Sequence, residues 1–124
     1  MDFAYNDEQK EIIKVVRDLV EKEIVPYASE MDETGKLHEG LLEKLAAQGL
    51  MGVAIPEEFG GAGLDAITIA AIYEELGKGC AGVATTVAAN ALASYPVIIA
   101  GSDDQKKRYF DIINEDNLAA FALT

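Results

Sequence analysis

Tryptophan is missing from the chain, and cysteine and histidine occur once each. A single Cys has no partner for an intrachain disulfide, so a reducing, cytoplasmic setting is expected. One Cys and one His cannot build a zinc site. Basic residues are scarce as well: 10 Lys and Arg against 22 Asp and Glu give a formal net charge of −12. A surface that acidic repels phosphate backbones and argues against general nucleic-acid binding. Asp2, Asp7, Glu8 and Glu11 stand where a signal peptide would need a basic segment. What is present is a chain of 124 residues, half of them hydrophobic. That length buries roughly two-thirds of its unfolded surface, sufficient for one core.

Residues 79–102 carry no formal charge and are long enough on paper to cross a bilayer. Thr85, Thr86, Asn90, Ser94 and Pro96 dilute them, Ala and Val outnumber Leu and Ile, and no basic cluster flanks either end. The expectation is therefore a central helix of a soluble domain and no membrane span.

Hydrophobic spacing predicts helices throughout. Asn6 and Gln9 form a capping box ahead of Ile13, Val16, Val20, Ile24 and Tyr27, which recur at spacings of three and four. Pro26 should bend or loosen the end of this long helix, and Thr34-Gly35 breaks it. A second helix is expected over about 38–48 on Leu41, Leu42, Leu45 and Ala46, with Gly49 in the left-handed position after it. Residues 51–56 read as a short extended run, and 57–63 as a glycine-rich loop. Asp65 caps a third helix to about residue 76, ended by Gly77 and Gly79. An Ala-rich fourth helix is expected over about 81–94, with Pro96 at its boundary. Ser102 and Gln105 repeat the capping box before a short fifth helix. Residues 118–124 have the apolar character of a strand beginning. The fold class is all-α: an orthogonal or up-down bundle of about five helices.

Local chemistry is thin. Gly61-Ala62-Gly63-Leu64-Asp65-Ala66 matches the loose form G-x-G-x-x-A of a dinucleotide fingerprint. Pro56, Glu57, Glu58 and Phe59 separate it from any strand, and two acids beside a diphosphate are unfavourable, so a tight structural turn is expected instead. Cys80 and His38 lie on different elements with no third group to orient a base, so Cys80 is expected as a small buried residue and His38 at the surface. Adjacent carboxylates such as Glu74-Glu75 do not face each other on a helix. No catalytic residue emerges from residue chemistry.

Three segments taken together resemble the N-terminal domain of the acyl-CoA dehydrogenase family. Gly49-Leu50-Met51-Gly52, followed by Pro56-Glu57-Glu58-Phe59-Gly60-Gly61-Ala62-Gly63, is similar to the family's G-L-x-G … P-E-E-aromatic-G-G-x-G stretch. Pro96-Val97-Ile98-Ile99-Ala100-Gly101 with Gln105-Lys106-Lys107-Arg108-Tyr109 resembles its P-I-x-x-x-G … Q-K-x-x-Y. Ala120-Phe121-Ala122-Leu123-Thr124 resembles the opening of the strand that continues E-P-x-A-G-S-D in the family.

The resemblance implies a flavoenzyme that removes hydrogens from Cα and Cβ of an acyl-CoA thioester. FAD accepts the hydride, a Glu takes the proton, and an electron-transfer flavoprotein commonly receives the electrons. It further implies a homo-oligomeric parent, a tetramer, of which residues 1–124 form about a third. The catalytic base and most of the flavin site would lie in a middle β-domain and a C-terminal helical domain. Carried over residue by residue, Phe121, Leu123 and Thr124 match the strand beside the flavin ring, and Ala84, Thr85, Ala88 and Leu92 match the end of the acyl pocket. Acyl-CoA oxidases, nitroalkane oxidases and two-component flavin monooxygenases have similar N-terminal helices, and a free-standing helical interaction module is an alternative of another class.

Overall fold

The computed structural model describes residues 4–113 and 118–122. Its elements are α1 (Asp7–Leu19), α2 (Ala28–Thr34), α3 (Leu41–Ala47), α4 (Ala66–Gly79), α5 (Ala81–Ala100) and α6 (Asp103–Ile113). A π-turn over Val20–Ile24 and a 3-10 turn over Val25–Tyr27 join α1 to α2 without a break. Counting that pair as one rod gives five helical units among the described residues, the all-α bundle expected. Pro26 falls inside the 3-10 turn, and the rod loosens ahead of it because a proline cannot supply the N–H of a regular turn.

The helix starts follow their sequence signals. Asn6 accepts from the Gln9 amide at 2.8 Å, while the Gln9 side chain accepts from the Asn6 amide at 3.0 Å. Asp65 accepts from Ile67 N at 2.8 Å and Thr68 N at 3.1 Å. Ser102 and Gln105 reciprocate at 2.9 and 3.3 Å. Each arrangement satisfies donors that the helix itself leaves unpaired. Gly35 ends α2 and Gly49 follows α3, both with positive φ, where a side chain would be strained.

Two apolar clusters form. The larger packs Val16, Val20 and Ile24 of the long rod against Leu41 and Leu45 of α3, Ile72 and Leu76 of α4, and Val83 and Val87 of α5. The smaller is Ile55, Phe110 and Ile113, with Val97, Ile98 and Phe59 against it. Between α1 and α4, Arg17 grips Glu75 through two hydrogen bonds of 2.9 and 3.0 Å, and Lys78 adds a third at 2.8 Å. Lys44 of α3 pairs with Glu23 of the π-turn.

Four local expectations are corrected. Residues 51–56 are not extended: Leu50–Gly52 is a 3-10 turn and the chain stays folded through Ile55, whose amide bonds back to the Gly52 carbonyl at 3.1 Å. Gly77 does not end α4, which runs on to Gly79. The fourth helix does not stop near Ser94. It passes through Pro96 to Ala100, since Val97 and Ile98 pack onto the smaller cluster and offset the missing hydrogen bond. His38 is not a bare surface residue: its ring stacks on Tyr27 at 3.5 Å between centroids, with Glu30 at 3.7 Å. Residues 118–122 take no regular structure, and Leu123 and Thr124 lie outside the described residues.

Candidate functional site: the outer face of α5

α5 is long and apolar enough, by composition, to cross a membrane, with mean hydropathy 1.5. Its burial is one-sided. Val83, Val87, Asn90, Ala91 and Ser94 face inward. Ala84, Ala88, Leu92, Tyr95 and Ile99 follow one another at spacings of four, four, three and four, so they share a face that flanks the buried one. Ala84 and Ala88 are half-buried, whereas Leu92, Tyr95 and Ile99 are exposed, Ile99 most of all at 79%. The structure thus brings Ala84, Ala88 and Leu92 onto one face, with Thr85 beside them.

Thr85 has a fixed chemistry there. Its hydroxyl donates to the Ala81 carbonyl at 2.8 Å, leaving a methyl group and acceptor lone pairs for anything that approaches. The small side chains at 84 and 88 leave the helix backbone approachable. On one side Ala84 lies against α4, where a Cβ on Gly77 would come to 4.0 Å from its own Cβ.

Two tyrosines belong to the same region and carried no signal in the sequence beyond their apolar rings. The hydroxyl of Tyr73, on α4, is buried and has no hydrogen-bond partner among the described residues. Burial pushes its pKa up to about 12, with Tyr95 adding to the rise, so the phenol stays protonated.

The segment after α6 is attached to this helix from its buried side. The backbone N–H of Ala119 donates to Asn90 Oδ1 at 2.8 Å, and Asn90 Nδ2 donates to the Met51 carbonyl at 3.5 Å. Two residues further on, Phe121 is 41% exposed. Of the three residues matched to the flavin strand, it alone lies among those described. Asn90 had a signal of its own, a carboxamide within a 20-residue apolar helix, although its spacing gives no indication of what it holds.

The glycine-rich loop is a turn and not a phosphate cradle. Ala62, Gly63 and Leu64 donate back to the carbonyls of Gly52, Ile55 and Val53 at 3.1, 2.9 and 3.0 Å. A Cβ on Gly61 would lie 2.1 Å from the Ile55 carbonyl oxygen, so only glycine fits. The first amides of α4 are already taken by Asp65. Cys80 stands at the entrance of α5, where it is partly and not fully buried, packed against the larger cluster.

A family model described as "Acyl-CoA dehydrogenase, N-terminal domain" matches residues 6–114. The probable acyl-CoA dehydrogenase YngJ of Bacillus subtilis is 35% identical over 100% of this chain and 33% of its own length. The 3-(aryl)acrylate reductase of Clostridium sporogenes is 38% identical over 94% of this chain and 32% of its own. The solved structure of butyryl-CoA dehydrogenase from Megasphaera elsdenii superposes with a TM-score of 0.82 at 31% identity, over 95% of this chain and 32% of that one. An acyl-CoA dehydrogenase complexed with FAD, from Bacillus anthracis, superposes at 0.83 with 33% identity, over 97% and 21%. The chain therefore spans about a third of the length of the curated relatives it matches. Fold, sequence and the helix order agree on one conclusion: the chain belongs to the acyl-CoA dehydrogenase family, in which it corresponds to the N-terminal helical domain.

Proposed function

We propose that this chain is the N-terminal helical third of a flavin-dependent enzyme that dehydrogenates acyl-CoA thioesters between Cα and Cβ, and that it lacks activity alone. The observation that carries the reading is the face of α5 that runs from the small, half-buried Ala84 and Ala88 to the exposed Leu92. An acyl chain is apolar and narrow, and such a face would form one wall of its channel. Ala84, Thr85, Ala88 and Leu92 would close the distal end, Thr85 presenting its methyl group.

The flavin fit is partial. Phe121 supplies a half-exposed ring for one edge, and Leu123 and Thr124, outside the described residues, are proposed beside it. Asp65 occupies two of the first amides of α4, and Asn6 and Ser102 one each at α1 and α6, which leaves these ends less available to a diphosphate. FAD, when bound by the whole enzyme, would accept the hydride from Cβ. The base that takes the α-proton, the binding face for an electron-transfer flavoprotein and the tetramer contacts would lie in the two domains beyond this one.

The test is substrate chain length in the whole enzyme. Each buried methylene contributes about 0.8 kcal/mol. Filling the space of two or three with Ala88→Phe should then cost about 2 kcal/mol, some thirtyfold in kcat/KM for octanoyl-CoA, with butyryl-CoA largely spared. Equal losses for both substrates with an unchanged melting temperature would place this face against protein and not substrate. The 38% identity to a 3-(aryl)acrylate reductase favours a second reading, reduction of a conjugated double bond. Turnover of phenylacrylate substrates with a reduced dye, and none of butyryl-CoA with an oxidised one, would select it.

A further inference from the structure

α5 could be alanine at every buried position and lose nothing in helix propensity, yet it buries Asn90 at 1% exposure and Ser94 at 0%. A buried carboxamide is costly unless it is hydrogen-bonded, so its partners explain its presence. The tightest is the Ala119 amide at 2.8 Å, reached across 29 positions of sequence. Because a backbone N–H can only donate, the atom facing it is the oxygen, and the orientation of the carboxamide is fixed. The nitrogen then faces the Met51 carbonyl at 3.5 Å, the long limit of a hydrogen bond. Ser94 donates to the Asn90 backbone carbonyl at 2.7 Å, adding a second polar bond inside the same face. One side chain thus joins α5, the turn after α3 and the segment after α6.

Among that segment's described residues, 118–122, apolar packing is slight. Ala119 packs partly against the smaller apolar cluster, while Leu118 and Phe121 are exposed. We infer that Asn90 is a positioning residue whose carboxamide oxygen, by holding the Ala119 amide, fixes residues 118–122 against α5 and so the placement of Phe121. The consequence for a flavin rests on the function proposed above; the latch itself does not. Acceptance matters more than donation, since the bond to Ala119 is short and the bond to Met51 is long.

Two arms test it. In the 124-residue chain, Asn90→Ala should speed amide exchange at Ala119 at least tenfold while α1 and α4 amides keep their rates, and Asn90→Asp, which still offers an acceptor, should recover most of the protection. Unchanged exchange at Ala119 in Asn90→Ala would overturn the latch. Should Asn90→Ala not fold, Ala119→Pro removes the donor instead and leaves α5 intact. It should speed proteolytic cleavage within residues 114–122 about tenfold, and no acceleration would overturn the latch equally. In folded variants the double change should add nothing to either single one.

In the flavin-loaded enzyme, Asn90→Ala should lower kcat about tenfold with KM within twofold and shift the visible flavin band. Loss of Ala119 protection with kcat and band unchanged would overturn the positioning of Phe121 at the flavin. A wild-type enzyme inactive on every acyl-CoA would count against the proposed function, while the exchange result would still decide the latch.

Discussion

Glu75 shows how a single residue can be charged where burial alone would neutralise it. Its side chain is 6% exposed, and burial alone would raise its pKa. The hydrogen bonds from Arg17, then those and the charge of Lys78, outweigh burial and bring the value from 4.5 down to about 2. A carboxylate whose folded pKa is depressed adds stability above its unfolded value and loses it as pH falls through the folded one, here between about pH 4.5 and 2. The full shift corresponds to about 3 kcal/mol, and solvent around the half-exposed Arg17 and Lys78 reduces this to about 2. Glu75→Gln should therefore be less stable than the parent by about that much at pH 7, and the gap should close by pH 2, as followed by urea unfolding. A gap independent of pH would mean that packing and not charge sets the loss. The caps at Asn6, Asp65 and Ser102 were legible in the sequence because cap and amide lie within three residues. Glu75 was not: its partner Arg17 is 58 positions away, and sequence shows only two adjacent acids.

Pro96 raises the same issue for a whole element. Read locally, a proline marks a helix end, but α5 continues a further turn because Val97 and Ile98 have Phe110 to pack on. If packing sustains that turn, removing the support should melt it. Phe110→Ala should cost about 3 kcal/mol, and the amides of residues 97–101 should lose protection before those of 83–94 do. Uniform loss along α5, measured by hydrogen exchange, would mean that the helix persists past Pro96 on its own. The existence of the α-helical units was legible, since periodicity and caps act over a few residues, whereas the π-turn at Val20–Ile24 and the 3-10 turns at Leu50–Gly52 and Glu57–Phe59 were not. The end of α5 and the folded state of residues 51–56 depended on distant partners and could not be read. The same holds for the candidate site. The shared face of 84, 88 and 92 follows from helical spacing, whereas Tyr73 and the Asn90–Ala119 bond arise only when separate elements meet.

For the whole molecule, an apolar face and a net charge of −12 oppose each other. Leu92, Tyr95, Ile99, Leu118 and Phe121 are all exposed in the isolated chain, and apolar surface of this kind seeks partners. Repulsion between copies is long-ranged at low ionic strength and is screened within about 10 Å at 0.1 M salt. Self-association should therefore strengthen from 10 to 300 mM salt in sedimentation velocity, and Leu92→Lys with Ile99→Lys should abolish it. A monomer at every salt concentration would mean that the face is too small or too dispersed to act. The separation of the two clusters has a further consequence, for synthesis on the ribosome. Every buried member of the larger cluster lies at or before Val87, whereas the smaller one waits for Ile113, 26 residues later. At about 5–20 residues per second that interval lasts a few seconds, far longer than a helix needs to form. The larger core can thus close while the chain is still growing, and over the ten residues from Ala100 to Phe110, about a second, the last turn of α5 stands beyond its proline with no Phe110 to rest on.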